Sequence, residues 1–155
     1  MSRSAPERVF FLMGAELFLL PPLLTTIAAD LHVGAAATAW VLTSYVLTYA
    51  LTSPPLAALS DRFGRREVIL TGVAIFAFGD LACALAPTLT LLVVAHAVSG
   101  LGGALAAPAI LAYLGETATP DERGRAVSRG AAMYAAGQIV GVPLGVLLAT
   151  SLGWR

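Results

Sequence analysis

Long apolar runs separated by short polar joints dominate the chain. Five runs stand out: Val9 to about Ala29, Trp40 to Leu59, Val68 to Ala86, about Leu89 to Leu114, and about Ala131 to Leu152. Each has the roughly 20 residues needed to cross a hydrocarbon core of about 30 Å. Such runs must be helical, because lipid offers no partner for an unpaired backbone N–H or carbonyl. They also lack the strict alternation of polar and apolar positions that a barrel strand needs. The pattern therefore predicts an all-α membrane protein with five transmembrane helices. Pro21-Pro22, Pro54-Pro55, Pro108 and Pro143 are expected to bend or unwind the helices that carry them. A short basic stretch precedes the first run, as in a signal peptide. That run is longer than a usual signal core, however, and holds Glu16 and Pro21-Pro22, so it is expected to remain as a helix.

Composition agrees with this pattern. Of 155 residues, 58% are hydrophobic and 12% charged, with a mean hydropathy of +0.84. Soluble domains have about a quarter of their residues charged, so a soluble enzyme, a disordered chain and a secreted disulfide scaffold are set aside. Nine acids balance nine bases, all of them Arg, which leaves no basic field for nucleic acid. The single Cys, Cys83, lies in an apolar run and permits no internal disulfide. The residues show no phosphate-cradling loop, no metal-ligand spacing and no nucleophile–base pair, so no cofactor, metal or catalytic residue is expected.

Charge placement sets an orientation. Arg3 and Arg8 precede the first run; Arg62, Arg65 and Arg66 follow the second; Arg123, Arg125 and Arg129 follow the fourth. Asp30, His32 and Pro87-Thr88 fill the opposite joints, and Arg155 lies beyond the fifth run. The Arg-rich face, with the N-terminus, is expected to be cytoplasmic.

The joint Leu59-Ser60-Asp61-Arg62-Phe63-Gly64-Arg65-Arg66 is so short that helices two and three are expected to be adjacent and antiparallel. Gly64 suits a backbone conformation that a side chain resists. Asp61 and Arg65 are close enough to pair, while Arg62 and Arg66 can reach lipid headgroups. From Ala57 the run reads Ala-Ala-Leu-Ser-Asp-Arg-Phe-Gly-Arg-Arg. It resembles the signature loop of the major facilitator superfamily, Gly-x-Leu-Ala-Asp-Arg-x-Gly-Arg-Arg, with Ala57 for the first Gly and Ser60 for Ala. Pro120-Asp121-Glu122-Arg123-Gly124-Arg125-Ala126 is similar to the family's loop into helix five. Gly137-Gln138-Ile139-Val140-Gly141-Val142-Pro143-Leu144-Gly145 resembles its helix-five antiporter motif, with Val142 between the second Gly and Pro143. With Gly153-Trp154-Arg155, this variant looks closest to the drug and sugar efflux branch similar to arabinose-efflux permeases.

The resemblance implies a proton-coupled efflux transporter of a small molecule, drug or sugar-like, in the cell inner membrane. It places residues 1–155 as most of an N-terminal six-helix half that stops before helix six. The expected partners are the bilayer, a small-molecule substrate, protons, and a missing C-terminal half or a second copy. The resemblance also implies a conformational latch at Asp61 and Arg65, within the loop that includes Arg62, Gly64 and Arg66, and a hinge at Gly137, Gly141, Pro143 and Gly145. Physically, those three glycines recur every four residues and clear one helix face for close packing, which by itself is also what a plain packing stripe does. The other readings of the chain are a five-helix structural or regulatory membrane protein and a half-transporter that needs a partner chain.

Ionisable groups inside the runs are functional candidates, because charge in the bilayer costs at least a few kcal/mol. Glu16 lies roughly 10 Å deep in helix one at about 1.5 Å per residue, a place for a carboxyl that takes up and releases a proton. Asp80 and His96 lie at matched depths on either side of the Pro87-Thr88 turn. If they face each other, a carboxylate–imidazole pair makes a proton relay, since His titrates near neutral pH. Many relatives in the resembling family carry Arg where His96-Ala97-Val98-Ser99-Gly100 begins. Trp40, Tyr45, Tyr49 and Tyr134 are candidates to line an apolar cavity, or to anchor and pack the helices.

Overall fold

The computed structural model describes residues 5–151 and 154, with Leu59 and Ala149 as backbone only. Arg3, Leu152, Gly153 and Arg155 lie outside the described residues. The described chain is helical, with no strand among those residues. Helix α1 (Ala5–Leu19) leads through a 3₁₀ turn (Pro21–Leu23) into α2 (Leu24–Asp30), and together they form the first span. The others are α3 (Ala35–Phe63), α4 (Arg65–Ala84), α5 (Leu89–Glu116) and α6 (Arg123–Ser151). Five helical spans are thus long and apolar enough to cross a membrane, as the hydrophobic runs predict.

The helices depart from those runs at their ends. Helix α3 begins at Ala35 rather than Trp40 and α6 at Arg123 rather than Ala131, while α4 stops at Ala84, short of Ala86. The extra turns are polar or small, so hydropathy does not register them as part of an apolar run. At about 1.5 Å per residue, the 29 residues of α6 reach some 43 Å, well beyond a core of about 30 Å. Among the prolines, the Pro21-Pro22 pair unwinds its helix into a 3₁₀ turn. Helical conformation continues through Pro54-Pro55, Pro108 and Pro143.

Helix α5 is the centre of the bundle. Over its apolar window 56% of residues are buried, against 33% or less in the other four spans. It packs along α3 on one side and α4 on the other, while α6 packs along α1. Glycines permit these approaches. A Cβ at Gly102 would overlap the Phe76 backbone of α4, and one at Gly100 would overlap the backbone of Tyr45 in α3. Without a hydrophobic drive between helices in lipid, such backbone contact is a main source of association. Thr88 starts α5 as its N-cap, its hydroxyl accepting from the Leu91 N–H at 3.3 Å.

One expectation needs correction. Helices α3 and α4 share the tight Gly64 corner, where φ is 88° and a side chain would be strained, yet they make little contact with each other. A short joint brings the two helix ends together but does not align their axes. Both axes pack on α5 instead, because its small-residue faces offer the closer fit.

Candidate functional site

Four spans converge on the polar groups inside the bundle. His96 of α5 is buried, at 2% exposure. Its Nδ1 lies 2.7 Å from the Val41 carbonyl of α3, and its Nε2 lies 3.2 Å from Oε1 of Glu16 in α1. Asp80 of α4 accepts a hydrogen bond from the Ser99 hydroxyl of α5 at 2.6 Å. Glu16, Asp80 and His96 line one cavity of about 170 Å³, whose remaining wall is mostly apolar and includes Leu19, Leu23 and Cys83.

The structure thus brings the three predicted groups together but pairs them differently. His96 bonds to Glu16, not to Asp80. Successive helical residues turn by about 100°, so Ser99 and His96 face directions some 60° apart. Ser99 looks to α4, where Gly79 leaves it room, and His96 looks toward α1 and α3. Matched depth alone does not reveal that rotation. Ser99 and the Val41 carbonyl are parts of the site that sequence reasoning misses. Ser99 carries a signal nonetheless: it is a polar residue one turn from His96 in an apolar helix.

The pair has a defined chemistry. A carbonyl only accepts, so Nδ1 carries its proton toward Val41. Nε2 and Oε1 then share one proton: either the carboxyl O–H donates to neutral imidazole, or imidazolium N–H donates to carboxylate. Loss of that proton leaves two acceptors facing each other. The second oxygen, Oε2 of Glu16, is buried and has no hydrogen-bond partner among the described residues.

A second cavity, of about 320 Å³, lies toward the Arg-rich end of the spans. Its wall includes Phe10, Met13, Tyr45, Tyr49, Pro108 and Tyr134. The three tyrosines take the place expected of them. Trp40 does not; it is 62% exposed on the bundle surface, where an indole suits the membrane interface.

At the α3–α4 joint, Arg65 gathers three helix ends. Its guanidinium lies 2.5 Å from Asp61, donates to the Ser60 hydroxyl, and reaches Glu116 at the end of α5 through both Nη2 (2.9 Å) and Nε (3.1 Å). Arg62 and Arg66 point into the exposed surface. Glu116 is a partner that sequence reasoning misses, since it lies 51 residues away.

The family model of the Major Facilitator Superfamily matches residues 9–155. The chain belongs to the Major Facilitator Superfamily. Among similar proteins, "Multidrug resistance protein B homolog" of Mycobacterium tuberculosis is 35% identical over 130 residues, covering 84% of this chain and 24% of that protein. "Multidrug resistance protein Stp" of the same species is 35% identical over 147 residues, covering 94% of this chain and 27% of its own length. "Multidrug resistance protein 3" of Bacillus subtilis is 28% identical over 117 residues, or 76% of this chain and 23% of its own. The chain therefore spans about a quarter of the length of these curated relatives. With its five apolar helices, this major facilitator chain is a multi-pass membrane protein.

In this major facilitator chain the helix-five glycines serve packing on helix one. Cβ atoms at Gly137, Gly141 and Gly145 would overlap the carbonyl oxygens of Phe11, Ala15 and Leu19, a four-residue ladder on each side. Pro143 lies on an exposed face of α6. The latch loop yields a prediction of its own. Glu116→Gln removes the forked charge pair with Arg65 and should lower stability by about 1 kcal/mol or less, since both groups reach solvent. In roughly 1 M salt, where screening acts over about 3 Å, variant and wild type should converge. Thermal unfolding in detergent at two salt concentrations measures both; a difference that persists in high salt contradicts the electrostatic assignment.

Proposed function

We propose that this chain forms part of a proton-coupled efflux transporter for small, drug-like molecules in the cell membrane, with its N-terminus in the cytoplasm. The observation that carries the reading is the Glu16–His96 contact. One proton shared at 3.2 Å between helices α1 and α5, beside the carboxylate of Asp80, makes protonation and helix packing a single event. The aromatic cavity supplies a wall for an apolar ligand, and the names of the multidrug resistance relatives agree with that use.

In this mechanism the protonated pair holds α1 against α5, and release of the proton to one side of the membrane separates them. Asp80, anchored by Ser99, offers a second carboxylate in the same cavity for a proton or for a cationic group on the substrate. Rocking of one bundle against another around a midplane site then exposes the cavity to alternate sides. The remaining walls of the path come from further helices, in the same polypeptide or in a second copy.

Ethidium, a planar aromatic cation, is a suitable probe. In proteoliposomes, an imposed proton gradient should drive ethidium against its own gradient, and a protonophore should abolish that movement. Ethidium that only equilibrates, indifferent to the protonophore, refutes the coupling.

A further inference from the structure

The aromatic cavity and the proton-sharing pair meet at one residue, Tyr45. It is buried, with its ring centroid 5.0 Å from the His96 imidazole and 6.3 Å from Tyr49, to which it is nearly parallel at 11°. Tyr45 and Tyr49 both line the inner cavity, whereas His96 lines the outer one. Tyr45 thus touches both sites, lining the aromatic cavity and packing on the imidazole that lines the other.

Two features give Tyr45 leverage over His96. The carbonyl that orients His96 belongs to Val41, four residues earlier in α3 and thus on the same helix face. A single turn of α3 holds the imidazole from two directions, by a carbonyl on Nδ1 and by an aromatic ring on its side. Tyr45 is also seated closely on α5. A Cβ at Gly100 would overlap its backbone, and one at Gly103 would fall 2.7 Å from its hydroxyl. His96, Gly100 and Gly103 share one face of α5 at helical spacing, so Tyr45 lies along the face that carries the imidazole.

We propose that Tyr45 is the positioning residue through which occupation of the aromatic inner cavity is conveyed to the Glu16–His96 pair. The proposal rests on the proton-coupled reading above. A planar ligand stacked in that cavity shifts the Tyr45 ring, and the Val41–Tyr45 turn moves with it. The Nε2 to Oε1 distance is already at the long end of hydrogen bonding, so a displacement of a few tenths of an ångström decides whether the proton stays shared. The titratable groups around the imidazole are Glu16 from α1, Tyr45 from α3, and Asp80 and Cys83 from α4. Among these, only Tyr45 lines both the imidazole and the aromatic cavity.

The test uses the protein in proteoliposomes with ethidium as the probe. In the complete transporter the histidines are labelled with nitrogen-15, and the His96 and His32 signals are assigned by their loss in His96→Gln and His32→Gln. In wild type, ethidium should shift the His96 signals and leave those of His32 in place. The ratio of proton-driven to downhill ethidium movement should fall about tenfold in Tyr45→Leu and stay within about twofold in Tyr45→Phe, which keeps the ring. His96 signals indifferent to ethidium, in a wild type that still drives ethidium with protons, overturn the role of Tyr45 and leave the coupled reading intact. Equal ratios in wild type and Tyr45→Leu do the same. A wild type that shows no proton-driven movement overturns the coupled reading, and this proposal with it. Because the wild-type measurement stands alone, a variant that fails to fold does not remove the test.

Discussion

Gly141→Ala is expected to destabilise the protein by about 1–3 kcal/mol, although a single methyl group is added to a helix that ordinarily favours Ala over Gly. The methyl has nowhere to go. At Gly141 it would overlap the carbonyl oxygen of Ala15 and crowd its Cα, which are backbone atoms and cannot rotate aside. Helices α1 and α6 must separate, and the ladder that also seats Gly137 on Phe11 and Gly145 on Leu19 is disturbed along its length. Gly124→Ala, in the same helix, is the control. Among the described residues a Cβ there meets nothing within 4 Å, so that change should be neutral or stabilising by up to about 1 kcal/mol. Unfolding in detergent, followed by circular dichroism, compares the two. Similar effects from both substitutions would mean that close backbone packing is not what holds α6 to α1. Ala15 also precedes Glu16, so a displacement of α1 at this level alters the Glu16–His96 contact, and Gly141→Ala should impair coupling beyond its effect on stability.

How much of this is legible in the sequence follows from what a one-dimensional pattern encodes. The number of spans is legible because burial in lipid makes whole runs apolar. The intramembrane groups Glu16, Asp80 and His96 are legible because they interrupt those runs. Depth along a span is legible as well, at a fixed rise per residue, and it matches Asp80 with His96, but it counts Glu16 from the opposite face and does not bring it to them. Rotation about each helix axis is not. Whether His96 meets Asp80 or Glu16 depends on how α5 is turned, which is decided where Gly79, Gly100 and Gly102 let backbones approach. Partners distant in sequence are equally hidden: nothing at Glu116 marks it as the acceptor for Arg65. The α3–α4 splay has the same origin. A turn length constrains two helix ends, while the direction of each axis is set by the third helix on which both pack.

Glu16→Gln should reduce proton-driven accumulation of ethidium by about 100-fold, the lower range of what a positioned proton-transfer group contributes, while leaving the fold intact. The substitution is nearly isosteric and preserves the contact in another form. With Nδ1–H committed to the Val41 carbonyl, Nε2 of neutral His96 is an acceptor, and the side-chain amide N–H introduced by Glu16→Gln can donate to it across the same gap. What the amide cannot do is release that proton. The α1–α5 bond then stays closed at every pH, and the event that ties proton loss to helix separation disappears. Asp80→Asn differs in kind. The Ser99 hydroxyl still donates to an amide oxygen, and the shared proton between Glu16 and His96 is untouched, so driven movement should fall less steeply. Ethidium accumulation under an imposed pH gradient, normalised to downhill movement, ranks the two variants against wild type. If Glu16→Gln accumulates ethidium within about twofold of wild type, the shared proton is structural, and coupling lies with Asp80 or outside this site.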